Sequence, residues 1–186
     1  MAAQITQGLQ ALEADVPQPV LESLQRQWQR VQEIDADVHA IEERLSALLR
    51  QDPQMQRVAT IPGVGLLTAT AVVATMGDAA VFSSGRHFCA WLGLVPKQYG
   101  SGGKVRLGGI SKRGDRYVRT LLVGGARSLM RHLKDGDSWL GQLKARKHAN
   151  VAIVAQAAKT ARTIWALVAK EQSYQAGHQS VRPVMA

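Results

Sequence analysis

The sequence predicts a mainly α-helical protein, a long N-terminal helix leading into a compact helical domain that carries one small glycine-rich β-hairpin. Two observations carry this. Apolar residues recur at intervals of three and four through most of the 186 residues, and the 46% hydrophobic fraction leans on alanine and leucine with only 5% aromatics, a composition poor in strand formers. Glycine is concentrated instead of dispersed. Gly100, Gly102, Gly103, Gly108 and Gly109 fall within ten positions, too dense for a helix interior. The length suits one domain with an extension.

Residues 1–19 are polar, alanine-rich and closed by Pro17 and Pro19, and are expected to be a flexible lead-in. Over 20–52, Leu21, Leu24, Trp28, Val31, Ile34, Val38, Ile41, Leu45 and Leu48 follow at intervals of 3, 4, 3, 3, 4, 3, 4 and 3, nearly a heptad seam with a stammer at Val31–Ile34. Such a coiled-coil-like stripe needs a partner, either a second copy, giving a homo-oligomer, or the C-terminal helix packed antiparallel on it. Asp52-Pro53 ends the helix, and residues 53–174 form the helical domain. Within 55–78 a short helix runs into Pro62-Gly63-Val64-Gly65, and a second helix continues to Gly77-Asp78. Gly63, Val64, Gly65 and Ala69 match the pattern of the helix-hairpin-helix module, in which the turn and the start of the second helix offer backbone N–H groups to a phosphate. A Rossmann fingerprint would need a third glycine where Thr68 stands.

Ser83 or Ser84 is suited to cap a short helix ending near Leu92. The stretch 96–114 is a basic glycine-rich loop, where Lys97–Tyr99 and Val105–Leu107 can pair as a hairpin with its tip at Gly100–Lys104. In the helical core, 115–172, a helix to His132 is expected to bury Val118, Leu121, Leu122, Leu129, Met130 and Leu133, with Gly124-Gly125 admitting another helix closely. A turn at Lys134–Ser138 and a short helix at Trp139–Arg146 precede a last helix. It is capped by Asn150 and striped by Val151, Val154, Ala158, Ala161, Trp165 and Val168. Residues 175–186 are expected to be a disordered tail.

The net charge of +9 is unevenly placed. Residues 1–85 hold 5 Lys+Arg and 10 Asp+Glu, whereas residues 86–186 hold 18 and 4, so the two parts carry −5 and +14. Lys97, Lys104, Arg106, Lys112, Arg113, Arg116 and Arg119 surround the glycines, a pattern suited to a phosphate backbone. A Walker A loop is excluded, because it would need glycine at Gln98 and Ser or Thr at Val105. No metal or cofactor site is expected on this chain. His87, His132, His148 and His178 lack ligand spacing, and Asp115, Asp135, Asp137 and Glu171 are the only acids beyond position 85.

Ser101 lies between glycines with Lys104 and Arg106 close in sequence, the exposure and cations that a hydroxyl attacking a phosphodiester needs. A purely structural glycine-loop serine is the alternative, and Ser111 is better suited to capping. The single cysteine, Cys89, sits in Phe88-Cys89-Ala90-Trp91-Leu92 and reads as a packed thiol in a reducing compartment. With no secretory signal pattern and no run of about 18 uninterrupted apolar residues, the expectation is a cytoplasmic protein without a membrane partner.

Several of these stretches together resemble the C-terminal transposase domain of the DEDD-type insertion-sequence transposases, RNA-guided recombinases. They are Ile61-Pro-Gly-Val-Gly65, Phe82, Ala90-Trp-Leu-Gly-Leu-Val-Pro96, Ser101-Gly-Gly-Lys104, Gly109-Ile-Ser-Lys-Arg-Gly-Asp115, Arg119, Leu121-Leu122, and Asn150 to Ala158 continuing through Lys159, Arg162 and Trp165. The resemblance covers roughly residues 55–172, and the helix before it is similar to that family's coiled-coil linker. It implies DNA strand exchange that mobilises an insertion element, with Ser101 the matching nucleophile that forms a phosphoserine link to DNA. It implies that the turn at Gly63–Gly65 and the basic residues hold DNA or a structured guide RNA. It also implies Mg²⁺, bound by four acidic residues of a RuvC-like domain. The residues before Val20 are too few for such a domain. The expectation is therefore a truncated transposase that acts only with a partner supplying the acidic half. A non-catalytic nucleic-acid-binding module and a dimerising regulator of a full-length transposase are the alternatives.

Overall fold

The computed structural model describes residues 2–12, 15–101, 104–132 and 138–177, in two compact units, residues 1–44 and residues 45–186. The first unit begins with α1 (Ala2–Ala11), a helix where a flexible lead-in is expected from sequence. Its alanine, glutamine and leucine are good helix formers, and no proline interrupts them. It folds back along α2 (Gln18–Gln51), whose Trp28 Nε1 donates to Thr6 Oγ1 at 3.2 Å. Leu21 is buried, while Val31, Ile34, Val38 and Ile41 stay exposed, so the fold-back covers only the start of the stripe. α2 continues into the second unit and stops at Asp52, whose carboxylate accepts from Gln54 and Met55 N–H to cap the next helix.

The second unit is organised on its last helix. Its elements are α3 (Pro53–Ala59), α4 (Leu66–Met76), a 3₁₀ turn (Ala79–Val81), α5 (Gly85–Trp91), β1 (Pro96–Ser101), β2 (Lys104–Ile110), α6 (Arg116–Arg131), α7 (Trp139–Arg146) and α8 (Ala149–Ala169). α3, α5, α6, α7 and the 3₁₀ turn all contact α8. By length and composition α8 could cross a membrane, but Ala152, Ile153, Ala157, Ala161, Ile164 and Leu167 are buried in the protein core. Burial of such side chains at about 25 cal/mol per Å² is the main force holding the unit together. Gly85 lets α5 approach α8 closely, since a Cβ there would stand 3.1 Å from Arg162 Cα. Phe82 meets the edges of Phe88 and Trp91 beside that crossing.

Three sequence expectations shift. α8 is capped by His148, whose Nδ1 accepts from Asn150 N–H at 3.2 Å, so Asn150 lies inside the first turn and is not the cap. Of the expected stripe Ala161 and Val168 are buried and Ala158 and Trp165 pack against the core, but at its start Val151 is 53% exposed and Val154 only half-buried, because Ala152 and Ile153 take the inward positions. Gly124-Gly125 admits a turn and not a helix. The Gly63 carbonyl lies where a Gly125 side chain would be, and a Cβ on Gly63 would stand 2.9 Å from Gly125 O. Leu133 and the turn at 134–137 lie outside the described residues, as does the tail from 178.

The hairpin is antiparallel and longer than its sequence suggests. Tyr99 pairs with Arg106, Gly100 with Val105 and Ser101 with Lys104, and the register slips between Pro96 and Gln98. Lys97 there faces the two glycines Gly108 and Gly109, a β-bulge that glycine accommodates without side-chain crowding. Every residue from Pro96 to Gly100 and from Arg106 to Gly109 is exposed, so the hairpin projects as an arm.

Candidate nucleic-acid interface

The arm is fastened to the core at its base by backbone. Ser111 N–H donates to Val95 O at 2.8 Å and Lys112 N–H to Gly93 O at 3.1 Å, continuing the ladder inward. Gly93 (φ +72°) and Gly114 (φ +102°) sit where these strands cross. A side chain on Gly93 would run into the Arg113 backbone, and one on Gly114 into the Trp91 carbonyl, so the crossing requires glycine. Asp115 accepts from Val118 N–H at 2.6 Å and starts α6 directly after the crossing.

Arg119 completes the fastening. Its Nη1 donates to Leu92 O at 2.9 Å, Asp115 O at 3.3 Å and Gly114 O at 3.4 Å. Sequence grouped Arg119 with the phosphate-binding cations, but the structure turns its guanidinium onto the backbone at the arm's base. The other described cations of that group, Lys97, Arg106, Lys112, Arg113 and Arg116, are exposed. None of the five forms an ion pair with a described carboxylate. Lys112 adopts φ +56°, a left-handed backbone uncommon for a residue with a side chain. Such conformations cost about 1 kcal/mol or more and concentrate at functional sites.

Ser101 is the last residue of β1, paired opposite Lys104, so sequence placed it correctly at the outer end of the hairpin. Gly102 and Gly103, and the side chains of Ser101 and Lys104, lie outside the described residues. Across the unit, the turn between α3 and α4 is held by the buried Ile61 and Val64 and by Val64 N–H donating to Ile61 O at 3.0 Å. Gly63 takes φ +82°, and Gly63 and Gly65 are exposed. Side chains cap α3, α5, α6, α7 and α8, but none caps α4 at Gly65. Its first N–H groups therefore have no capping side chain and carry the partial positive charge of a helix start.

Sequence reasoning passed over a second site. Beside the arm's base, α5, α7 and α8 enclose a groove of about 680 Å³ whose lining includes Arg86, Trp139, Asn150 and Arg162 as well as Lys112, already grouped with the phosphate-binding cations. The available signal was the spacing of Asn150, Val154, Ala158 and Arg162, which share one side of α8, but their apolar members read as core. Cys89 also borders this groove and is almost wholly buried. Burial pushes its thiol pKa up, with the Arg162 charge pulling it partly back, so it is a poor nucleophile at neutral pH. Among the described residues no three of His, Cys, Asp and Glu converge to hold a metal ion, and the acidic set to which the resemblance ascribes Mg²⁺ is not among them.

Sequence comparison gives the class of the domain that bears this arm and turn, a transposase domain of insertion sequences. Residues 55–141 match the family described as Transposase IS116/IS110/IS902, and the chain carries that family's transposase domain. It is 45% identical over 168 residues to a probable family 20 transposase of Pseudomonas aeruginosa, an alignment covering 88% of this chain and 50% of the relative. It is 45% identical over 147 residues to the transposase for insertion sequence element IS1111A of Coxiella burnetii, covering 77% of this chain and 40% of the relative. With the transposase for insertion sequence element IS1328 of Yersinia enterocolitica it shares 39% identity over 157 residues, 82% of this chain and 47% of the relative. The chain thus spans about half the length of these relatives or less.

Proposed function

We propose that this chain is the DNA-holding part of an insertion-sequence transposase and that Ser101 is its nucleophile for strand exchange. The observation that carries the reading is the set of five exposed cations without described carboxylate partners, all on or beside an arm whose outer end is Ser101. Unpaired surface cations at this density are complementary to a phosphate backbone. The uncapped start of α4, read as a helix-hairpin-helix, adds N–H donors for a further phosphate. A structured guide RNA presents the same phosphate chemistry to these groups.

In the proposed step the Ser101 hydroxyl oxygen forms a bond to phosphorus and one bridging P–O bond breaks. The released strand end takes a proton, and the hydroxyl proton is lost to a base. The phosphoserine keeps the energy of the broken phosphodiester, so a second strand end can reverse the step and be joined in its place. Arg106, two pairs along the ladder from Ser101, stabilises the added charge on the non-bridging oxygens. An acidic domain holding Mg²⁺ would supply charge neutralisation, and the described residues contribute no ligand cluster to it.

Binding of the purified chain to duplex DNA and to structured RNA, followed by fluorescence anisotropy across a salt series, tests the reading. Affinity that falls linearly in log–log form with salt supports it, and no binding to either polymer at low salt overturns it. A denaturant-resistant protein–DNA adduct, formed with the acidic domain present and lost in Ser101→Ala, tests the nucleophile. An adduct that survives the substitution rules Ser101 out.

The exposed run Val31, Ile34, Val38 and Ile41 on α2 favours one addition, assembly with a second copy or with a full-length transposase. Sedimentation of the wild type against Val31→Asp checks it. A wild type that stays monomeric at high concentration excludes a homo-oligomer.

A further inference from the structure

We propose that the groove beside the arm receives one unpaired nucleotide of the bound strand, its base entering between α7 and α8 and its phosphates resting on the rim. This rests on the reading of the chain as a nucleic-acid-holding domain and adds a preference for unpaired bases. The rim carries Arg86, Lys112 and Arg162, and among the described residues no carboxylate lines the groove, so its charge suits a polyanion. The walls are apolar, which phosphates alone would not require. Val151, Val154 and Ala158 of α8 face Val95 and Ile110 at the arm's base. A paired base hides its faces in the stack, whereas an unpaired one offers a flat apolar surface for such walls.

Two side chains fit the edges and faces of a base. Trp139 is 43% exposed, lines the groove, and has Lys159 Nζ 4.7 Å from its ring centroid, a cation–π contact that helps hold the ring. Asn150, also lining the groove, makes no side-chain hydrogen bond among the described residues, leaving its amide donors and carbonyl acceptor for a base edge. The groove volume lies within the range of small-molecule sites, roughly 300–1,000 Å³. Its continuity with the arm decides the occupant. Pro96, Gly108 and Gly109 belong to both, so a strand whose phosphates follow the arm's cations passes the groove mouth.

The test uses the full chain and three fluorescent duplexes of one sequence: fully paired, with a single unpaired deoxyadenosine, and with an unpaired abasic residue at the same place. The abasic duplex keeps every phosphate and lacks only the base. The unpaired base is expected to bind about tenfold tighter than the abasic one. Ala155→Trp, which fills the groove, and Trp139→Ala, which removes the platform, should each abolish that difference and leave the paired duplex's salt dependence unchanged. Trp139→Ala decides the matter if Ala155→Trp fails to fold. Equal binding of the unpaired-base and abasic duplexes, with the salt dependence intact, overturns the groove proposal alone. So does discrimination that persists in both variants, as expected if the groove instead receives a protein segment. Absence of all duplex binding overturns the reading beneath it as well.

Discussion

Arg119 and Arg106 are both arginines in the basic stretch, and on the proposed function they have opposite tasks, which substitution with alanine should separate. Each phosphate neutralised by a cation contributes about 0.9 to the slope of log affinity against log salt. If Lys97, Arg106, Lys112, Arg113 and Arg116 each meet one phosphate, the slope is about −4.5, and affinity falls about 500-fold between 50 and 200 mM salt. Arg106→Ala should lower the slope magnitude by about 0.9 and leave thermal stability nearly unchanged, because Arg106 is exposed. Arg119→Ala should do the reverse. It leaves the Leu92, Gly114 and Asp115 carbonyls without their shared donor. At 1.5–3 kcal/mol for a bond to a charged group, and with partial replacement by water, the cost is about 2 kcal/mol, a fall in Tm of roughly 5–10 °C. Its salt slope should match the wild type even if affinity drops by a constant factor. Anisotropy titrations at four salt concentrations with a melting curve for each variant give both quantities. An Arg119→Ala slope reduced by about 0.9 with unchanged Tm would refute the assignment of this guanidinium to the arm's base.

Further outcomes follow from the same geometry. Gly125→Ala should cost about 2–3 kcal/mol in denaturant unfolding, because its Cβ meets the Gly63 carbonyl, while Gly124→Ala, with open space around its Cβ, should stabilise by about 0.5–1 kcal/mol. Lys112→Gly should raise stability by about 1 kcal/mol by relieving the positive φ and lower the salt slope by about 0.9, so stability and binding move in opposite directions. Burial raises the Cys89 pKa above its unfolded value, so its contribution to stability is complete below about pH 8.5 and is lost as pH rises through the folded value. Unfolding free energy measured from pH 7 to 10 should accordingly decline more steeply in the wild type than in Cys89→Ala.

Much of the helical layout was legible because it is written in local chemistry. Asp52, Ser84, Asp115 and Ser138 each cap the helix that follows them, and side-chain capping depends on residues only two or three positions apart. The hairpin was legible from its glycines, although its strands run further because a bulge at Gly108-Gly109 absorbs the register slip. Tertiary direction was not legible. Arg119 differs from Arg116 only by where the Gly93–Gly114 crossing places three carbonyls, and no local pattern encodes that. α8 is apolar on more than one side, so periodicity cannot choose between the face that Ala152, Ile153 and Ala157 bury and the one that Val151, Val154 and Ala158 present to the groove.

The two kinds of support in the domain explain why the basic residues sit where they do. A two-stranded hairpin is at best marginally stable alone, and the described part of this arm is exposed on both strands from Pro96 to Gly109. Its base is the opposite. Glycines that tolerate no side chain, two backbone hydrogen bonds and the Arg119 guanidinium fix the entry and exit strands against the core. An arm anchored at one end takes its direction from that base, and phosphates binding along its exposed cations would be held in the same direction. On the proposed function, placement of the DNA at Ser101 is then coupled to occupation of the cations below it, so binding energy along the arm goes into bringing the phosphate to the nucleophile. Loss of Lys97 or Arg106 should therefore lower the rate of adduct formation at saturating DNA as well as affinity, whereas cations that only held DNA to the surface would change affinity alone.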